Sequence, residues 1–277
     1  MSAPLLEPLP TSLSRLRSPS VAIAQLTDTH LFADAAGVML GCQTRRSLEQ
    51  VLAQLAQLPQ LDLLLLTGDL SQDDSPESYQ ALHAAITPFQ RPTYWIPGNH
   101  DQNTAMTEDL LGEPPFSHQQ SFCAGGWRFL LLSTLLPEQV SGRLSVASLD
   151  WFAAELAADP PTPTLVALHH HPLPIGSAWM DAIALENPED LFAVIDRHSQ
   201  VKLVIHGHIH QEFVGDRNGV AYLGAPSTCV QFQPRSPKLI LDDQQPGFRL
   251  LLLFADGTHQ TQIIRCNPPA PASTAKF

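Results

Sequence analysis

Val21-Ala-Ile-Ala-Gln-Leu-Thr-Asp-Thr-His30 runs from an apolar stretch straight into a carboxylate and an imidazole two residues apart. Its first seven residues have the character of a short buried strand. Alternate residues of an extended chain share a face, so Asp28 and His30 can reach one ion from the strand's carboxyl end. The arrangement recurs four times. Leu61 to Thr67 leads into Gly68-Asp69, and Thr93 to Ile96 into Pro97-Gly98-Asn99-His100-Asp101. Thr164 to Leu168 leads into His169-His170-His171, and Lys202 to Ile205 into His206-Gly207-His208-Ile209-His210. Between these runs lie segments of helical character. Leu48, Val51, Leu52, Leu55 and Leu58 are at helical spacing within Ser47 to Leu58, and Pro76 to Ile86 has an N-terminal proline and an acidic first turn. Arg128 to Thr134 reads as a strand, and Ser145 to Ala158 and Pro188 to His198 as helices. The alternation predicts an α/β fold that presents polar groups at the carboxyl ends of its strands.

After His210 the pattern changes to Gly-bounded strands without helices: Ala221 to Leu223, Thr228 to Phe232, Phe248 to Phe254 and Thr261 to Arg265, with Asp256-Gly257 as a hairpin turn. These suggest a mixed or antiparallel second sheet. No repeat of fixed period is present. The expected organisation is an N-terminal extension over 1–20, a single domain over 21–265 and a proline-rich tail over 266–277, with Asp159 to Pro163 as a loop.

Composition narrows the partners. Lys and Arg number 15 against 27 Asp and Glu, for a net charge of −12, and no basic block is long enough to neutralise several phosphates of a polymer. Nucleic acid is therefore not expected as a partner. Apolar runs such as Leu63 to Leu66 and Leu250 to Ala255 are far short of the ~20 residues of a membrane span. The first twenty residues contain Pro8, Pro10, Arg15 and Arg17 and no continuous apolar core, so no secretory signal is expected and the cytoplasm is the expected compartment. Cys42, Cys123, Cys229 and Cys266 are scattered and read as ordinary thiols.

The five polar segments supply oxygen and nitrogen donors and no thiolate, which favours Mn, Fe, Zn, Ni or Co over Ca, Mg or iron–sulfur clusters. Asp69 has two carboxylate oxygens and can bridge two ions; Asn99 offers a neutral amide oxygen, and His169, His208 and His210 offer ring nitrogens. Two divalent ions bring four positive charges, Asp28 and Asp69 return two and a bridging hydroxide one, so a phosphodiester monoanion completes neutrality. Such a pair activates water without a protein nucleophile. His100 then suits protonation of the leaving alkoxide or stabilisation of phosphate charge, and Asp101 suits orientation of that imidazole. A single Asp-x-His or Gly-Asp is commonplace in loops; the five in order carry the argument. His83, His118, His198, His206 and His259 read as surface or core residues.

The ordered set resembles the calcineurin-like metallophosphoesterase superfamily over residues 21–210, about two-thirds of the chain. Gln25-Leu-Thr-Asp-Thr-His-Leu-Phe32, Thr67-Gly-Asp-Leu-Ser-Gln-Asp73, the triple histidine followed by Pro172-Leu-Pro174, and Ser227-Thr-Cys-Val-Gln-Phe232 resemble, within it, the class III cyclic-AMP phosphodiesterases of bacteria. The resemblance implies a four-layer α/β/β/α sandwich of two mainly mixed β-sheets flanked by helices, with a binuclear site between the sheet edges. It implies that Asp28, His30, Asp69 and His210 hold one divalent ion and Asp69, Asn99, His169 and His208 the other, with Fe(II) and Mn(II) the expected metals. Within the triple histidine, His169 follows the strand directly and is taken as ligand, with His170 as the alternative. His30, Asn99 and His210 would also approach the phosphate. The implied activity is hydrolysis of 3′,5′-cyclic AMP to 5′-AMP by a metal-bound hydroxide, lowering a second messenger, in a monomer or homodimer. The alternatives are a broader phosphodiesterase for 2′,3′-cyclic nucleotides, glycerophosphodiesters or other nucleotide diesters, and a non-catalytic interaction module. The loops 31–43 and 172–187 and the segment 227–232 flank the motifs as a possible base pocket, where Phe32, Trp179 or Phe232 would stack on adenine.

Overall fold

A computed structural model describes residues 19–58 and 60–266; the expected extension up to residue 18 and the tail beyond Cys266 lie outside the described residues. The chain runs β1 (Val21–Leu26), α1 (Thr44–Leu55), β2 (Leu63–Thr67), α2 (Pro76–Ile86), β3 (Thr93–Ile96), α3 (Thr104–Leu110), β4 (Phe116–Ser117), β5 (Ser121–Ala124) and β6 (Trp127–Leu131). It continues with α4 (Val146–Ala158), β7 (Thr164–Leu168), α5 (Ala178–Asp181), α6 (Pro188–Ile195), β8 (Val201–His206), β9 (Phe213–Arg217), β10 (Val220–Gly224), β11 (Gly247–Leu253) and β12 (His259–Arg265). Two six-stranded sheets result, ordered β12-β11-β1-β2-β3-β4 and β9-β10-β8-β7-β6-β5.

The inner strands β1 to β4 are parallel, as are β6, β7, β8 and β10 in the other sheet, while β11 and β9 add antiparallel partners. Parallel strands buried on both faces read as unbroken apolar runs, which is the pattern of Leu63 to Leu66. Their alternate side chains enter different layers. Leu63 and Leu65 join Val21, Ile23, Phe129, Leu165 and Leu203 between the sheets. Leu64 and Leu66 face Leu48, Val51 and Leu55 of α1 and Tyr79 and Leu82 of α2. On the far side, Val166, Leu168 and Val204 pack against Phe152 and Leu156 of α4 and Leu191 and Ile195 of α6. Helices, sheet, sheet and helices therefore form the four layers expected.

Two details differ from the sequence reading. Strands after His210 do not build a sheet of their own: β9 and β10 extend the second sheet and β11 and β12 the first, with Arg249 joining them. That buried guanidinium donates to the carbonyls of Phe213 at 3.2 Å and Gly224 at 2.7 Å, and to Thr261 Oγ1 at 2.8 Å. Of the expected strand Thr228 to Phe232, only Gln231–Phe232 is extended and paired; Thr228 N–H instead donates to Thr27 O and Val230 O accepts from His210.

Candidate metal centre

Strands β1, β2 and β3 end side by side, and the ends of β7 and β8 meet them from the other sheet. Gln25 ties the two edges together, donating through Nε2 to Thr67 Oγ1 and to the His206 carbonyl, both at 3.0 Å. Five donor residues then leave their strands in left-handed backbone: Asp28, His30, Asp69, His208 and His210 have φ of 54, 44, 50, 70 and 47°. Non-glycine residues rarely adopt that conformation, at a cost of order 1–3 kcal/mol each, so the cluster marks a functional edge. Gly68, at φ 94°, is needed for a second reason: a Cβ there would lie 2.5 Å from His169 Nδ1 and 2.7 Å from Gly98 N.

The side chains converge in a buried row. His210 Nε2 lies 3.3 Å from Asp28 Oδ1 and 3.1 Å from His30 Nε2; His30 Nε2 lies 3.8 Å from Asp69 Oδ2, and His169 Nε2 3.3 Å from the same oxygen. Asp69 is thus the shared centre. Several rings are oriented by their other nitrogen: His169 Nδ1 donates to the Thr67 carbonyl at 2.7 Å, His210 Nδ1 to Val230 O at 3.0 Å, and His208 Nε2 to Ile183 O at 3.1 Å. A carbonyl can only accept, so each neutral ring keeps a lone pair on its remaining nitrogen. His210 Nε2 and His30 Nε2 therefore face each other with at most one hydrogen between them. His30 Nδ1, His169 Nε2 and Asn99 Oδ1 are buried with no hydrogen-bond partner. His30 Nδ1 and Asn99 Oδ1 are orphaned acceptors that, with two carboxylates, fit cations, and His169 Nε2 joins them on giving up its proton. Donor atoms lie within 4.8 Å of one another in the groups Asp28–His30–His210, Asp28–Asp69–His169, His30–Asp69–His100 and His169–His170–His208.

The electrostatics describe the same demand for positive charge. Burial alone would raise Asp28 and Asp69, but the imidazoles of His210 and His169 respectively outweigh it and hold both carboxyls below the usual range. Burial also opposes charge on His169, yet Asp69 lifts it to about 9, so a proton there compensates the carboxylate as a cation would. Burial takes His30 down to about 3 and His208 well below the usual range, leaving them neutral donors.

Asp28, His30, Asp69, His169, His208 and His210 all fall within those donor groups, but two neighbours behave differently from one another and one corrects the expectation. His170 has both nitrogens engaged, Nδ1 with Thr134 Oγ1 at 2.8 Å and Nε2 with Val140 O at 3.0 Å, whereas His169 keeps Nε2 free beside Asp69. Asp101 does not orient His100. Its carboxylate accepts from Gly98 N at 2.8 Å, Leu70 N at 3.1 Å, Ser71 N at 3.0 Å and Tyr79 Oη at 2.9 Å, which locks the two motif loops together. Burial and the charge of Asp69 push it up to about 6 against those backbone bonds. The expected base-stacking residue Phe232 is instead buried, with its ring on His210 at 4.3 Å, and Trp179 meets it edge-on at 5.2 Å. A cleft of about 500 Å³ opens beside Asn99 and His100, walled by Gln102, Pro137, Glu138, Gln139 and Val140. No single-sequence pattern marked these walls, which come from loops without periodicity.

A two-sheet sandwich with a row of carboxylate and imidazole donors at its strand ends is the architecture of a metallophosphoesterase. The chain belongs to the calcineurin-like phosphoesterase family, which it matches over residues 21–212. It is 50% identical to a 3′,5′-cyclic-nucleotide phosphodiesterase of Nostoc sp., over 88% of this chain and 92% of that one. It is 41% identical to the 3′,5′-cyclic adenosine monophosphate phosphodiesterase CpdA of Escherichia coli, over 88% and 90% of the two chains. Among solved structures, a dimetal phosphatase from Danio rerio shares the fold with a TM-score of 0.66 at 16% identity, over 86% of this chain and 94% of that one.

Proposed function

We propose that the chain hydrolyses the 3′,5′-cyclic phosphate of cAMP to 5′-AMP. The observation that carries this reading is the shared row Asp28–His210–His30–Asp69–His169, in which His169 and His210 are held from outside by backbone carbonyls and turn Nε2 toward the two carboxylates. The names of relatives aligned along nearly the whole chain support the substrate. Asp28, His30, Asp69 and His210 would hold one divalent ion and Asp69, Asn99, His169 and His208 the other, with Fe(II) or Mn(II) suited to these donors. When bound, such a pair lowers the pKa of water toward ~7 and neutralises phosphoryl charge.

The chain's own residues do the rest. His30, Asn99 and His210 border the place where a phosphate would sit, and the cleft beside Asn99 and His100 gives substrate a way to the buried row. His100, half-buried with its ring edge-on to His30 at 5.0 Å, is placed to donate a hydrogen bond to the departing oxygen. Among the described residues no helix is long and apolar enough to cross a membrane, and a freely diffusing cyclic nucleotide in the cytoplasm suits that. Purified chain supplied with Mn(II) or Fe(II) should release 5′-AMP from 3′,5′-cAMP faster than it opens 2′,3′-cAMP. Activity confined to 2′,3′-cyclic nucleotides or glycerophosphodiesters would keep the metal chemistry and reject the substrate.

A further inference from the structure

Gln72 stands three residues beyond Asp69, in the loop after β2. Its backbone is clamped: its N–H donates to Leu31 O at 2.8 Å, and the preceding N–H groups of Leu70 and Ser71 are held by Asp101. From this fixed base its amide Nε2 reaches His100 Nδ1 at 3.2 Å. The His100 backbone N–H meanwhile donates to Asp69 Oδ1 at 2.9 Å, so the residue is gripped at both its main chain and its ring. The adjacent acid cannot serve the ring, since Asp101 is fully engaged elsewhere.

An amide nitrogen can only donate. With Gln72 Nε2 donating, His100 Nδ1 accepts and the ring hydrogen is carried on Nε2. We propose that Gln72 is a positioning residue that fixes the ring plane and tautomer of His100, keeping Nε2–H available to the phosphoryl or departing oxygen of a bound phosphodiester. This rests on the phosphodiesterase reading above. A hydrogen bond to developing oxyanion charge acts without changing the number of protons in the site, and a neutral orienting amide adds no further negative charge beside Asp69. The requirement is strict for a ribose 3′-oxygen, a poor leaving group, and slight for a phenolate, which departs with little help.

Gln72→Met keeps the length of the side chain and removes the donor. With Mn(II), its kcat on 3′,5′-cAMP should fall roughly 10–100-fold, the usual effect of losing a partner that orients an active ring, while KM holds. Its kcat on bis(p-nitrophenyl) phosphate should change far less. The double variant Gln72→Met/His100→Ala should be no slower on cAMP than His100→Ala alone, because one residue acts through the other. A readout independent of turnover is ¹⁵N NMR of the full chain without metal. The His100 ring should be the Nε2–H tautomer in the wild type and a mixture of tautomers in Gln72→Met. Equal losses on both substrates, additive losses in the double variant, or an unchanged tautomer would each overturn the proposal. If wild-type protein opened aryl diesters and not cAMP, the substrate reading would fail while the tautomer measurement still decided the role of Gln72.

Discussion

Asp69→Asn is the substitution that tests the shared centre without disturbing its shape. The asparagine side chain can still accept the His100 N–H that reaches Asp69 Oδ1 at 2.9 Å, so the loop keeps its anchor. What is lost is the charge on Oδ2, 3.3 Å from His169 Nε2 and 3.8 Å from His30 Nε2. Two unit charges near 4 Å interact by about 4 kcal/mol at an effective dielectric of about 20. A divalent ion would feel twice that, and the remaining amide oxygen and relaxation return part of it. A net loss of about 4 kcal/mol corresponds to nearly a thousandfold in affinity. Because the same oxygen faces donors of both groups, both ions should weaken together. Metal-depleted protein titrated calorimetrically with Mn(II) should bind two equivalents in the wild type and neither tightly in the variant. Circular dichroism of the metal-free variant should keep the wild-type spectrum, separating lost binding from lost folding. Two equivalents bound by Asp69→Asn at wild-type affinity would refute the assignment of Asp69 as bridge.

The triple histidine is separable by the same titration. His169→Asn should lose one tightly bound ion, whereas His170→Asn should keep both and instead lower stability by about 1–3 kcal/mol in chemical denaturation, because Thr134 and Val140 lose a buried partner. Gly68→Ala forces a methyl group against His169 Nδ1 and the Gly98 backbone at positive φ; thermal unfolding should report a loss of at least ~1–3 kcal/mol, with weakened Mn(II) binding. Arg249→Ala removes the buried donor to Phe213 O and Gly224 O and should cost about 3 kcal/mol in urea unfolding while leaving the metal stoichiometry intact.

The parallel core was legible because its strands are buried on both faces and end abruptly in polar residues. The edge strands were not. Phe213–Arg217 alternates half-buried and exposed residues and contains Gly215 and Asp216, so nothing distinguishes it from a loop until β10 pairs with it. Ser121–Ala124 is similar. Helix α3 carried a readable signal in Asn103, whose side chain caps Met106 N, but its brevity hid the periodicity. Helix α1 begins at Thr44 rather than Ser47 because Arg45 and Arg46 lie on faces that an apolar stripe does not mark. At the site, donor identities were legible and partnerships were not. Asp101 follows His100 in the chain, yet the turn at Gly98 sends its carboxylate back to three backbone N–H groups. Gln72 meets His100 only because two strands place their following loops side by side.

The strained residues explain why so much of the surrounding hydrogen bonding is backbone to backbone. Five left-handed donor residues, at order 1–3 kcal/mol each, would relax to extended or helical conformations in a free loop. They are prevented by bonds that cross between loops: Asp28 N–H to Gly68 O at 2.9 Å and His30 N–H to Asp69 O at 3.0 Å within the main chain, and the Ser227 hydroxyl to Asp28 O at 2.7 Å. The His208 N–H, in turn, reaches both oxygens of Asp28 at 3.1–3.2 Å. Each clamp joins one motif to another, and two of them link residues from opposite ends of the chain. The donors are therefore held in place by bonds between the loops that follow the strands. The burial that keeps His30 and His208 neutral follows from the same arrangement, since the strand ends that position the rings also exclude water from them.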